Sequence, residues 1–277
     1  MENHTQHQKA LAFKALHQRS GIFAIPNPWD AGSARILASL GFEALATTSA
    51  GLAYSLAKPD GEGVVTLQEA LANSEAISGA VDLPVSADLE NGYSDDPEGC
   101  AQAILLAAKA GVVGGSIEDA TGKADAPIYP FELSVERIRA AVEAARSLSF
   151  PFMLTARAEN LIHGVIDLKD TIKRLEAYAE AGADVLFAPG LKSAEDIATV
   201  VKAVAPKPVN VVMGLSGTSF SLNQLEDLGV KRVSLGSSLA RAAYGAFINA
   251  ASEIKNTGKF DFANGIIPYG DLNKLLR

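Results

Sequence analysis

Short apolar runs alternate with longer amphipathic stretches along almost the whole chain. Eight of the runs read as strands: Gly21–Pro26, Ala44–Ser49, Pro84–Leu89, Gly115–Asp119, Phe152–Arg157, Asp184–Ala188, Val209–Met213 and Arg232–Gly236. Several are nearly all apolar, as parallel strands covered on both faces should be. The stretches between them open on helix-start chemistry. Asp30 precedes Ala-Gly-Ser-Ala-Arg-Ile-Leu, Thr66 with Glu69 and Ser221 with Gln224 form capping boxes, and Asp96 precedes Pro97. Ser134, Asp167 and Ser193 open three more helices in the same way. Four helices then end in a small turn before the next strand, at Gly41, Gly111, Gly182 and Gly229, where glycine supplies a left-handed C-cap.

Eight strand–helix units without a break in composition predict a single α/β domain over residues 1–277, a (β/α)8 TIM-type barrel, which needs roughly 250 residues. The barrel is expected over about residues 20–252, followed by a C-terminal helical extension over 253–277. An open doubly wound sheet would want a glycine-rich phosphate loop after its first strand. Ile25-Pro-Asn-Pro-Trp-Asp30 is not one. In the extension, Asp271–Arg277 reads as a short amphipathic helix whose leucines need a surface to cover them, on this subunit or another.

Composition narrows the chemistry. With 32 acidic residues against 24 Lys and Arg, the chain carries a formal charge of -8, which argues against a nucleic-acid partner. One cysteine excludes an intramolecular disulfide and a thiolate-rich zinc site. Of four histidines, His4, His7 and His17 lie near the start, leaving His163 for the body of the chain. Met1–Ala10 is polar, unlike a signal peptide, and no apolar run approaches the roughly 20 residues of a membrane helix. A cytoplasmic protein without a membrane span is expected.

In a barrel of this kind, the residues that act sit at the C-terminal ends of the strands. There the sequence places Thr47–Gly51, Lys58–Gly61, Ala87–Tyr93, Ile117–Asp119 and Thr155–Asn160. Asp88 and Glu90 are two apart on one strand and should point the same way, with Glu118 level on the next strand. Three such carboxylates repel one another unless a cation neutralises them. With no histidine or cysteine beside them, Mg²⁺, or Mn²⁺ in its place, suits the donors. Taken singly, each acid reads equally as a helix cap or surface charge. Arg157 is fitted to grip a substrate carboxylate or phosphonate, its plain alternative being a salt bridge to Glu118 or Glu159. Ser49 and the peptide N–H groups of Ala50 and Gly51 can hold a second carboxylate, unless Gly51 only turns the chain. Asn210, in the seventh strand, is a further substrate-binding candidate. His163 is a general acid or a surface residue. Cys100, inside a helix, reads as packing. Gly214–Ser219 and Gly236–Ser238 follow strands seven and eight, where barrels often hold phosphate.

Taken in order, Asn27-Pro-Trp-Asp-Ala, Thr47-Thr-Ser-Ala-Gly, Pro59-Asp-Gly, Asp88-Leu-Glu-Asn-Gly-Tyr, Ile117-Glu-Asp and Ala156-Arg-Ala-Glu-Asn resemble the isocitrate lyase / phosphoenolpyruvate mutase superfamily, from about Gly21 to Ala250. The resemblance implies a (β/α)8 barrel, usually tetrameric, with C-terminal helices exchanged in pairs. It implies Mg²⁺ on Asp88, Glu90 and Glu118, a strand-two-loop aspartate at Asp60, a substrate arginine at Arg157 and a substrate cradle at Ser49, Ala50 and Gly51. Glu90 stands where many members carry aspartate. The isocitrate and methylisocitrate lyases carry a Lys-x-Cys-Gly-His segment after strand four, where Ala120–Tyr129 has neither cysteine nor histidine. The phosphonomutases have a tryptophan where Thr48 stands, and Lys123 is the nearest counterpart of their gate lysine. The expected function is a Mg²⁺-dependent lyase cleaving or decarboxylating a small 2-oxo or 2-hydroxy acid through a pyruvate enolate. P–C bond chemistry on phosphonopyruvate is the alternative, and a catalytically silent barrel that binds a 2-oxo acid is a third.

Overall fold

The structure, a computed structural model, describes residues 5–215 and 219–277. His4 and residues 216–218 of the Gly214–Ser219 loop lie outside them. Among the described residues, eight parallel strands run in the order β1-β8-β7-β6-β5-β4-β3-β2, giving a TIM-type barrel. They are β1 (Phe23–Ile25), β2 (Leu45–Ala46), β3 (Val85–Asp88), β4 (Gly114–Glu118), β5 (Met153–Arg157), β6 (Val185–Phe187), β7 (Val209–Val212) and β8 (Arg232–Ser234). Each lies within or beside a run expected from the sequence. The seam between β1 and β2 is stitched by Ala46 N–H donating to the Pro26 carbonyl at 3.1 Å and by Asn27 Nδ2 donating to the Thr47 carbonyl at 2.9 Å.

The helices are α1 (Gln6–Gln18), α2 (Ala31–Ser39), α3 (Ser49–Ser55), α4 (Leu67–Ala80), α5 (Pro97–Lys109), α6 (Phe131–Arg146), α7 (Leu168–Glu180), α8 (Ala194–Val204), α9 (Leu222–Asp227), α10 (Ser238–Thr257) and α11 (Tyr269–Leu275). Asp30, Thr66, Asp167, Ser193 and Ser221 cap their helices as expected. The four C-cap glycines all have positive φ, from 83° at Gly229 to 106° at Gly182. Asp96 holds its capping position without a side-chain bond. Ser134 does not open a helix. The helix starts at Phe131 behind Pro130, and the buried Ser134 hydroxyl donates back to the Pro130 carbonyl at 3.1 Å.

Helix α1 was not apparent in the sequence, because its first half is polar. Thr5 caps it, and Ala10, Phe13 and Leu16 plug the N-terminal end of the barrel against Phe23, Val113, Met153 and Val185. His17, on the same face, is buried between the rings of Phe13 and Phe23. Its Nδ1 lies 2.8 Å from the Phe13 carbonyl, and Nε2 lies 3.4 Å from an Arg232 amino group. Burial, then the Arg232 charge, lower its pKa to about 3. Below the unfolded value near 6.5, the unfolded chain therefore binds a proton that the folded one refuses. Stability is lost as pH falls from 6.5 toward 3, at about 1.4 kcal/mol per unit. Against His17→Gln, wild type should lose on the order of 2–3 kcal/mol more between pH 7 and 4.5 in urea unfolding. Parallel pH profiles would show that His17 is already charged in the fold.

The C-terminal extension forms one 3-10 turn at Asp261–Gly265 and then α11. Helix α11 lies on α2 of its own chain, where Arg35 donates to the Leu276 carbonyl at 3.0 Å. No helix among the described residues is long and apolar enough to cross a membrane.

Candidate active site

Two connected cavities open at the C-terminal ends of the strands, an outer cleft of about 750 Å³ and an inner chamber of about 230 Å³. Ser49, Asp60, Arg157 and Ile162 line both. Asp88 faces the chamber, while Glu90, Glu118, Glu159 and His163 face the cleft.

Arg157 ends β5, level with Glu118 on β4. Its three nitrogens meet three carboxylates: Nη1 to Asp88 at 3.0 Å, Nη2 to Glu118 at 3.1 Å and Nε to Glu159 at 2.7 Å. The salt-bridge alternative for Arg157 is thus what this geometry shows, and the guanidinium still borders both cavities. Asp88 is gripped from other sides as well. Its Oδ2 accepts from Ser49 N–H at 3.0 Å, while its own N–H donates to Thr47 Oγ1 at 2.8 Å.

Glu90 reaches the cleft by a route the sequence reading did not foresee. Strand β3 ends at Asp88, so simple alternation stops there. Glu90 sits in a left-handed turn (φ 46°), and its carbonyl accepts from Glu118 N–H at 2.9 Å. The Tyr93 hydroxyl donates to Glu90 Oε1 at 3.4 Å. Burial, followed by the charges of Asp88 and Asp60, pushes the Glu90 carboxyl up to about 7. Burial also raises Glu118 well above the carboxylate range, against the pull of Arg157. Asp60, on the rim, is raised by burial and then by Asp88.

Ser49, Ala50 and Gly51 are not a loop but the first turn of α3, which Thr48 caps by accepting from Gly51 N–H at 3.2 Å. A Cβ at Gly51 would lie 2.6 Å from Thr48 Cγ2 and 2.9 Å from Trp29 Cβ, so only glycine fits. Lys123 is not brought to the carboxylates. It pairs with Asp95 at 2.7 Å on the outer rim, where Tyr129 Oη donates to the same carboxylate at 2.5 Å. These contacts hold the Ala120–Tyr129 segment, folded back by a bridge between Ala120 and Ile128, over the cleft. Asn210 is buried at the chamber wall, bonded to Ser234 and Arg232. Cys100 packs under Gly92, as expected.

Asp119, quoted in the sequence motif without a role, turns out to brace the site. It accepts from Glu159 N–H at 2.8 Å, Arg174 at 3.0 Å and Tyr178 Oη at 2.7 Å. Its partners lie 40 to 59 residues away, so nothing local in the sequence signals the brace.

Among the described residues, no cluster of three or more His, Cys, Asp or Glu side chains has the spacing of a metal site. The chemistry of the donors nevertheless fits a hard divalent cation. Asp60, Asp88, Glu90, Glu118 and Glu159 present five carboxylates to the two cavities, and Arg157 is their one ion-pair partner among the described residues. Burial first, and then the neighbouring carboxylates, raise the carboxyl groups of Glu90 and Glu118.

Comparison with known proteins agrees with this architecture. A crystal structure of a candidate lyase/mutase from Burkholderia cenocepacia J2315 superposes with a TM-score of 0.94 at 58% identity, covering 97% of this chain and 95% of that one. Probable 2-methylisocitrate lyase 2 of Corynebacterium glutamicum is 31% identical, over 99% of this chain and 89% of its own length. An oxaloacetate decarboxylase of Pseudomonas putida is 30% identical, over 87% and 81%. The phosphoenolpyruvate phosphomutase family matches residues 13–255. The chain belongs to that family, and so to the isocitrate lyase / phosphoenolpyruvate mutase superfamily of lyases and mutases.

Proposed function

We propose that the protein is a Mg²⁺-dependent lyase that releases pyruvate from a small 2-oxo or 2-hydroxy acid, with decarboxylation of a 2-oxo dicarboxylate as the reaction its residues serve best. The observation that carries this reading is one guanidinium set among carboxylates at the mouth of a chamber of about 230 Å³. That volume is below the roughly 300–1000 Å³ of sites for larger ligands. Asp88, Glu90 and Glu118 would hold the cation, which supplies a Lewis acid for the charge arising on the 2-oxygen. The second N–H of each Arg157 amino group would meet a substrate carboxylate. The Ala50 N–H, beside Ser49 and Gly51 whose N–H groups already donate to Asp88 and Thr48, would orient the other end. In decarboxylation the bond between the third carbon and the departing carboxylate breaks, carbon dioxide leaves, and the electron pair enters the pyruvate enolate. Glu159 and Asp119 keep Arg157 in place meanwhile. A proton must then reach the enolate carbon, and His163, on the cleft wall, is assigned that role.

The segment Ala120–Tyr129 favours decarboxylation. Cleavage of a 2-hydroxy acid needs a base to take the hydroxyl proton, and this segment offers neither thiol nor imidazole. Loss of carbon dioxide from a 2-oxo acid needs no such base. The oxaloacetate decarboxylase and methylisocitrate lyase relatives share the family, so both substrates belong in the test. The purified protein should be assayed for pyruvate release from oxaloacetate, methylisocitrate and dimethylmalate, with phosphorus-31 spectra for phosphonopyruvate. Oxaloacetate should be turned over fastest. Turnover of phosphonopyruvate alone would move the assignment to P–C chemistry, and tight 2-oxo acid binding without turnover of any would leave a silent barrel.

The protein is further proposed to act in the cytoplasm as a homo-oligomer. Helix α10 buries only Ala240 and exposes Phe247 and Ile248, and Phe260, Ile266 and Tyr269 in the segment that follows it are exposed as well. So many exposed large apolar side chains call for a second copy of the chain. Sedimentation should show an oligomer, and the double substitution Phe247→Asp, Ile248→Asp should shift it toward monomer. A monomeric wild type would rule this out.

A further inference from the structure

Two guanidinium groups lie inside the barrel, and their surroundings are opposite. Arg157 meets three carboxylates. Arg232, at the start of β8, is 5% exposed and meets no carboxylate among the described residues. Its Nε donates to Asn210 Oδ1 at 2.8 Å, Nη2 donates to Thr155 Oγ1 at 3.0 Å, and Nη1 faces His17 Nε2 at 3.4 Å. All three partners are neutral, and together they leave part of the donor fork without a protein acceptor. The nearby C-terminal end of α1 contributes only about half a negative charge. A buried cation with no counter-ion carries a steep desolvation cost.

The position of Arg232 makes the imbalance useful. Thr155 and Arg157 are two apart on β5, so they face the same way, about 7 Å apart along the strand. Arg232 is therefore one layer deeper than Arg157. The inner chamber reaches from Asp88 and Arg157 to Arg232, Thr155, Asn210 and Ser234. Both hydroxyls there already accept a hydrogen bond, Thr155 from Arg232 and Ser234 from Asn210 at 2.9 Å, so each keeps an O–H to donate.

We propose that the floor of the chamber is an anion subsite, in which Arg232 is the counter-ion and the Thr155 and Ser234 hydroxyls donate to a compact monoanion. The anion is either the carboxylate end of a bound organic acid or a free inorganic ion. The site does not depend on the reaction proposed above.

Bromide is the probe. Crystals of the full chain soaked in sodium bromide should show an anomalous peak beside the Arg232 amino groups. In solution, bromide should raise the unfolding temperature of wild type saturably. Its affinity should fall at least about tenfold in Arg232→Gln, as loss of a hydrogen bond to a charged group implies. Should Arg232→Gln fold poorly, Ser234→Ala keeps the guanidinium and should still weaken bromide several-fold. Repeating the titration with pyruvate present identifies the natural occupant, and either answer supports the site. Competition assigns it to an organic carboxylate, and undisturbed bromide binding assigns it to a free ion. The proposal is overturned if no bromide lies at Arg232 and the titrations of wild type and both variants coincide.

Discussion

Arg157→Met should abolish measurable pyruvate release and destabilise the protein at neutral pH. The guanidinium is bonded at 2.7–3.1 Å to Glu159, Asp88 and Glu118, each on a different strand end or loop. Methionine fills much of the space but leaves the buried Glu159 and the partly buried Asp88 and Glu118 facing one another without a cation. Breaking a buried pair by removing one partner costs about 3–5 kcal/mol. The catalytic loss should be at least about 10²–10³-fold, the effect of removing one donor aimed at developing charge. The two effects separate by pH. Protonation relieves the carboxylates, so the stability deficit should shrink in acid while activity stays absent. Arg157→Lys should recover most of the stability and little of the activity, because an ammonium cannot reach three acceptors with a planar fork. Near-normal kcat/KM in Arg157→Met would remove this residue from the mechanism.

Asp88→Ala is expected to lower divalent-metal affinity and turnover together. Asp88 touches Arg157, accepts from the start of α3 through Ser49 and is held through its own N–H by Thr47. Its loss therefore removes a proposed ligand and loosens the residues that orient substrate. Loss of a residue that merely supports a metal ligand already costs 10–100-fold in affinity, so loss of a ligand should cost at least about that. Calorimetric titration of Mn²⁺ into wild type and variant would show it. Equal affinities would mean that the carboxylates serve Arg157 and not a cation. Glu118→Gln is the companion measurement, since Glu118 shares the guanidinium without contacting α3.

Much of the barrel was legible in the sequence because its signals are local. Apolar runs marked all eight strands, and Gly41, Gly111, Gly182 and Gly229 marked four helix ends through a backbone conformation that other residues resist. Elements set by tertiary contact were not legible. Helix α1 forms because Phe13 and Leu16 find the open end of the barrel, which its polar first half does not announce. Ser134 looked like a cap, but Pro130 fixes the helix start four residues earlier.

The site divides in the same way. Asp88, Glu118 and Arg157 lie at strand ends, where alternation and register carry them to one place. Glu90 reaches the same cleft through a left-handed turn that alternation cannot anticipate. Lys123 was matched by position in a loop, and a local ion pair with Asp95 decides where it goes. Thr155, Asn210 and Arg232 are scattered polar residues within apolar strands, and only closure of the barrel makes them a layer.

The central claim is that the carboxylate cleft around Arg157 is the active site of a metal-dependent lyase. Its most direct test is the initial rate of pyruvate release from oxaloacetate by metal-stripped wild type, before and after addition of Mg²⁺, corrected for the reaction without protein. The rate should fall to background without the ion and be restored by Mg²⁺ in wild type but not in Asp88→Ala. Equal rates with and without Mg²⁺, or restoration in Asp88→Ala, would contradict the central claim.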